Sequence, residues 1–287
     1  MINRNEYLVV GRSNSTTKTG SPFCILKLKN TEEEISISVW DVLPDDQPVF
    51  GQLVSFIDIK DNAGKKSARK MDMVPGSKPS EGHPLYGLLP HPIKRELWDK
   101  CIDKLVSYCN DKQLTEAIKE YANTLFKPYS QYPAATSVHH AFPGGLLNHT
   151  YQMLHMLEGL YPCLPYPVKI ERCILAILFH DYGKVYEYNK EGDPQVMKHL
   201  LGHVYISANR LQKTLEEKNI SNDEVSKIVH IVLAHHGQLD YGSPVVPCTQ
   251  EAVIVHYLDD LSAKVDIIES SPAGERNFAL GTTIVKD

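Results

Sequence analysis

The segment ERCILAILFHDYGK constrains this chain more than any other. Seven successive apolar residues, Cys173 to Phe179, run directly into the ionisable pair His180 and Asp181. A run of this kind reads as a helix buried on nearly every side. Ending it on a charged pair costs several kcal/mol unless the charge is paired or coordinates a metal. A His–Asp hydrogen bond at a solvated helix end relieves the same cost, and this segment alone does not choose between the two.

Four other segments add weight to the metal reading. GLLNH ends on His149, LLGH on His203, LAHHG carries His235 and His236, and YLDD carries Asp259 and Asp260. Each places His or Asp in an apolar context on a predicted helix, and helices bring such residues together in a bundle core, where mixed imidazole and carboxylate sites are assembled. Leu97, Cys101 and Leu105, then Leu114, Ile118, Tyr121 and Leu125, repeat at helical spacing. Further helices are expected over 144–160, 168–182, 197–218, 221–235 and 249–269.

The first part of the chain reads differently. FCILKLKN, EISISVW and QLVSFIDI read as strands, and in EISISVW the residues Ile35, Ile37 and Val39 fall on one face and Ser36, Ser38 and Trp40 on the other. A five-stranded barrel is the natural closure for so short a β module. The Pro/Gly/Ser-rich stretch from Val74 to Pro92 cannot sustain a helix. The expected organisation is therefore multidomain α+β: a small OB-like barrel over 1–78, a linker over 79–92, and an all-α helical bundle over 93–287.

Composition narrows the function. No apolar run approaches the roughly 18 residues of a membrane span, and MINRNEYLVV lacks the basic-then-apolar design of a secretory leader, so a cytoplasmic location is expected. The six cysteines are scattered without a CxxC pair, so any metal must be held by nitrogen and oxygen. Net charge is −5, yet residues 1–80 carry 11 basic against 10 acidic side chains. Attraction for a polyanion is thus confined to a local patch. Lys60, Lys65, Lys66, Arg69 and Lys70 cluster around a predicted hairpin near Phe23 and Trp40. They read either as a basic groove with aromatic platforms for single strands or as a solvated turn above core aromatics.

The ordered set His149, His180-Asp181, His203, His235-His236 and Asp259 resembles the HD superfamily of metal-dependent phosphohydrolases, and His-Asp-x-Gly-Lys184 matches the extended form of its motif. PAATSVHHAFPGGLLNHT, HHGQLDYGSPVVP, VHYLDDLSAK and the N-terminal GSPFCILKLKNTEEEISISVWD are similar to passages of the YhaM-type 3′→5′ exoribonucleases, which also begin with an OB-fold domain. The resemblance implies that His149, His180, Asp181 and Asp259 hold one metal, that His203 and His235 hold a second with Asp181 bridging, and that Asp259 is preferred to Asp260. It leaves His236 as ligand or phosphate contact and brings Lys184 to a phosphate oxygen, with Asp181 and Lys184 as the catalytic pair. His139 and His140 line the pocket or serve as capping and packing groups. Two divalent ions are implied, Mn²⁺ first, with Fe²⁺, Zn²⁺, Mg²⁺ and Ni²⁺ compatible with the same donors.

The implied activity is hydrolysis of single-stranded RNA, with single-stranded DNA as a further substrate, from the 3′ end to nucleoside monophosphates, by a homo-oligomer. Phe23, Trp40, Lys65 and Lys66 would then contact substrate. Two rivals stand beside it: an HD phosphodiesterase for small or cyclic nucleotides, and a non-catalytic DNA- or RNA-binding protein whose HD domain is structural.

Overall fold

The computed structural model describes residues 6–43, 46–135, 139–271 and 273–286. They form two compact units, Met1–His91 and Pro92–Asp287.

In the first unit, β1 (Glu6–Thr16), β2 (Pro22–Lys29) and β3 (Glu34–Trp40) form an antiparallel meander, and β4 (Leu53–Phe56) pairs with the start of β1. β5 (Lys60–Asn62) and β6 (Lys65–Arg69) make a hairpin, followed by β7 (Met73–Pro75). Its turn residues Ala63 and Gly64 have φ of 53° and 84°. Both central residues therefore lie in the left-handed region that a two-residue hairpin loop of type I′ requires. The strand order is β5-β6-β3-β2-β1-β4-β7. β6 lies parallel to β3 and β7 antiparallel to β4, so one chain passage, interrupted only by the turn Lys70–Asp72, touches both ends of the sheet and curls it. The sheet has seven strands where five were expected, because this passage is broken into two strands and β5 adds a hairpin arm. Ile35, Ile37 and Val39 are buried with Tyr7, Leu26 and Phe56, as the period-two pattern of β3 requires. Within the stretch read as a linker, Leu85 is buried against Leu8 and Leu53.

The second unit is helical: α1 (Arg95–Val106), α2 (Lys112–Tyr129), α3 (Gly145–Leu160), α4 (Ile170–Phe179), α5 (Lys184–Glu187), α6 (Val196–Leu200), α7 (His203–Glu217), α8 (Asn222–Ala234) and α9 (Gln250–Ser270). A short hairpin, β8 (Arg276–Asn277) with β9 (Thr282–Thr283), follows where helix was expected to run near the end. Every residue of α4 except Arg172 is buried. Asp111, Ser221 and Thr249 cap α2, α8 and α9 through side-chain oxygens that accept N–H groups of the first turn. The segment 197–218, expected as one helix, is two. Gly202, at φ 71°, breaks it, and the freed N–H of His203 is taken by the Glu187 carboxylate. That break sets His203 at the first position of α7. Among the described residues no helix is long and apolar enough to cross a membrane.

Candidate metal centre

The end of the buried helix α4 delivers His180 and Asp181 into the middle of the helical unit. Around them converge His149 from α3, His203 from the start of α7, His235 and His236 from the end of α8, and Asp259 from α9. His149, His180, Asp181 and His235 are at most 2% exposed.

The ring orientations are set from outside the cluster. The Nδ1–H groups of His180 and His236 donate to the carbonyls of Ile177 (2.8 Å) and Tyr241 (3.0 Å), and that of His235 to the carbonyl of Val232. His203 Nδ1 faces Glu187 Oε1 at 3.2 Å. Ser262 donates its hydroxyl to Gln152, so its oxygen accepts from His149 Nδ1 at 2.9 Å. All five rings therefore carry their proton on Nδ1 and turn the Nε2 lone pair inward, the arrangement by which outer partners orient metal-ligating histidines.

Without a positive charge between them these lone pairs repel. His149 Nε2 and His180 Nε2 are 3.2 Å apart, as are His203 Nε2 and His236 Nε2. Asp181 spans both pairs: Oδ2 is 3.2 Å from His180 Nε2 and 3.7 Å from His149 Nε2, while Oδ1 is 3.6 Å from His203 Nε2. Asp259 Oδ1 lies 3.0 Å from His149 Nε2. Asp181 Oδ1 and His235 Nε2 are buried and make no hydrogen bond. Nitrogen and oxygen donors, two of them orphaned, fit divalent cations.

Electrostatics favour ionised carboxylates and, at His235 and His236, neutral rings, whereas at His180 the neighbouring Asp181 outweighs burial and pushes the imidazole up. Burial opposes the charge on Asp181, but Lys184, whose Nζ lies 2.7 Å from Oδ2, and His180 hold its carboxyl well below the usual carboxylate range. Burial and the neighbouring His236 hold His235 well below its ordinary value, and burial with His203 lowers His236.

Of the adjacent acids, Asp259 faces the centre and Asp260 pairs outward with Lys264 at 2.8 Å. His139 and His140 stand with ring centroids 5.2 and 5.4 Å from that of His149. Burial, reinforced by His149, pushes their imidazoles down to about 3 and about 2, so both are neutral. His155 instead pairs with Glu158, and His230 contacts Cys248. Glu187, Ser262 and Gln152 were not singled out in sequence. Ser262 had a findable signal, three residues after Asp259 on the same helix face. Glu187 had none. Gly183, inside the motif, lets α7 approach: a Cβ there would lie 2.4 Å from the His203 carbonyl oxygen.

In the first unit, Phe23 and Trp40 are directly paired across β2 and β3 with ring centroids 4.5 Å apart, both half-buried. Lys65 is exposed on β6, and Lys66, half-buried, lies 3.7 Å from Asp61. Lys70 is paired with Asp46.

This fold and its histidine-rich centre define a metal-dependent phosphohydrolase, and residues 146–264 match the HD domain family. A 3′-5′ exoribonuclease YhaM of Geobacillus sp. (strain WCH70) is 31% identical over 279 residues, covering 91% of this chain and 82% of that protein. Those of Bacillus pumilus (strain SAFR-032) and Bacillus subtilis (strain 168) are 29% and 28% identical, covering 91% and 92% of this chain and 85% and 86% of theirs. The chain belongs to the 3′-5′ exoribonuclease YhaM family, and it is a hydrolytic enzyme. No solved structure matches it. The reading of a non-catalytic protein with a structural HD domain is set aside by this membership.

Proposed function

We propose that this enzyme degrades single-stranded RNA from the 3′ end to nucleoside monophosphates, in the cytoplasm and as a homo-oligomer, with two divalent cations, Mn²⁺ foremost. The observation that carries the proposal is the pair of facing imidazole sets joined by one carboxylate with an orphaned oxygen. One cation would be held by His149, His180, Asp181 and Asp259, the other by His203, His235, His236 and Asp181. Bound there, such ions neutralise phosphodiester charge and make an attacking water more acidic.

The chain's own groups do the rest. Glu187 and Ser262 fix the rings of His203 and His149. Lys184 compensates Asp181 and, at the edge of the same carboxylate, provides a cation for a phosphate oxygen. His139 and His140 present neutral imidazoles beside it. Phe23 and Trp40 offer adjoining aromatic faces for bases, with Lys65 on the same face for phosphates, whereas Lys66 pairs with the core-facing Ile37 and lies on the other face of β6. Long single strands, DNA included, are suited to such a sequence-tolerant surface.

RNA labelled at either end, incubated with Mn²⁺, Mg²⁺ or chelator, tests this reading. A ladder that shortens from the 3′ end and vanishes with chelator is expected. Hydrolysis of cyclic or very short nucleotides with no action on longer RNA would favour the small-nucleotide rival instead.

A further inference from the structure

The inner face of α9 carries Asp259, Ser262 and Asp266 at helical spacing. The first two meet His149. Asp266, two turns beyond Asp259, reaches a different partner: its Oδ2 accepts the backbone N–H of His140 at 2.6 Å, and its Oδ1 lies 3.7 Å from His140 Nε2.

The backbone at His140 is unusual. Its φ is 45°, in the left-handed region that strains a non-glycine residue. Its carbonyl accepts N–H groups from Ala134 (3.1 Å) and Phe142 (2.9 Å). Gly145 makes room for that carbonyl, because a Cβ there would lie 1.9 Å from its oxygen. His140 is thus gripped on both sides, by a carboxylate at its N–H and by two amides at its C=O. What the grip places is the neighbouring residue. The His139 ring stands against His149, with Nδ1 3.4 Å from His140 Nδ1, and the three histidines can bring one ring nitrogen each within 4.8 Å of the others. Asp266, His139 and His140 all lie outside residues 146–264, the part that matches the HD domain family.

We infer that Asp266 is a positioning residue: acting through the backbone of His140, it sets His139 beside the cation-binding histidines, where His139 donates to a non-bridging phosphate oxygen of the substrate. The inference rests on reading the centre as a phosphodiester site. Nothing about Asp266 itself touches the reacting atoms.

The test uses the full-length, Mn²⁺-loaded protein and the variants Asp266→Ala, Asp266→Asn, His139→Ala and the Asp266→Ala/His139→Ala double. Inorganic phosphate affinity by calorimetry, RNA kcat/KM and ion content are read for each. Asp266→Ala should lower phosphate affinity and kcat/KM on the order of ten- to hundred-fold, the effect of misplacing a contact by about 1 Å, with ion content unchanged. Asp266→Asn keeps an oxygen to accept the His140 N–H and should recover most of the loss. The double variant should be no worse than His139→Ala. Wild-type behaviour of Asp266→Ala, failure of the asparagine to recover, or losses that multiply in the double variant would overturn the proposal. Should the alanine variant not fold, Asp266→Glu, which displaces the acceptor without removing it, replaces it in the same cycle and is read by the same criteria. If wild type binds phosphate but leaves RNA intact, the RNA reading fails, and the phosphate arm still decides the role of Asp266.

Discussion

Asp181 is the carboxylate that faces both imidazole sets. Its replacement by asparagine is nearly isosteric but removes the charge and offers an N–H where an oxygen now faces His203 or His180. Asp181→Asn is expected to lower hydrolysis by more than about a hundred-fold, beyond what loss of an outer partner of a metal ligand produces. Circular dichroism and RNA binding should be nearly unchanged. Elemental analysis should show fewer than the about two Mn²⁺ per chain expected of the wild type under a two-metal mechanism. Near-normal turnover would contradict the bridging role. Gly183 makes a second test at this scale. The atoms a Cβ would meet, the His203 oxygen at 2.4 Å and Cα at 2.5 Å, are backbone and cannot swing aside. Gly183→Ala should push α7 away, costing about 1–3 kcal/mol in urea unfolding and reducing ion content. Wild-type stability with full ion loading would show that the close approach is dispensable.

At the level of elements, α4 is held in place by its polar side chains Glu171 and Arg172 as well as by its apolar surface. Arg172 donates to both Glu224 oxygens on α8, at 2.8 and 2.7 Å, and reaches Glu251 on α9 at 3.4 Å. Arg172 hydrogen bonding outweighs burial and holds the Glu224 carboxyl below its ordinary 4.5. Because the folded value is depressed, the stabilisation from this link is fully present above about pH 4.5 and is lost as pH falls from there through the folded value. Glu224→Gln should cost about 2 kcal/mol at pH 7, the loss of a charged hydrogen-bonded pair that is mostly shielded from water. The gap between wild type and variant should narrow below pH 4.5. Urea midpoints at both pH values provide the measurement, and a gap independent of pH would refute the linkage. The α6–α7 break also belongs here. Apolar periodicity continues across Gly202, so a single helix was the natural reading; the left-handed Gly202 and the Glu187 carboxylate that takes the His203 N–H together make the interruption favourable.

For the whole molecule, the two units have separate hydrophobic cores, and the described residues of the candidate metal centre all lie in the second. A protein of residues 92–287 should therefore fold and cleave a dinucleotide within about three-fold of full length. On long RNA it should bind more weakly, with a flatter salt dependence, because fewer counterions are released and the stacking surface is gone. Comparing both substrates at two salt concentrations checks this. Equal losses on short and long substrates would mean that the first unit supports the centre instead of recruiting substrate.

The sequence by itself determined the candidate donors and their order. Imidazoles and carboxylates embedded in apolar, helix-periodic segments are a local signal, since burying them without a partner is costly wherever the helix packs. It likewise determined the alternation of β3 and the buried character of α4. Tertiary structure decided what depends on directions across elements. Successive helical residues differ by about 100° in direction. Only the packing phase of α9 could therefore turn Asp259 inward and Asp260 toward Lys264. Which ring nitrogen faces the centre is likewise set by Ser262, Glu187 and the Tyr241 carbonyl, groups that neighbouring segments carry to the rings and that no local pattern announces. The same holds for Asp266, 126 residues from the His140 N–H it accepts. Hydrogen-bond geometry over such separations exists only once the helices have packed.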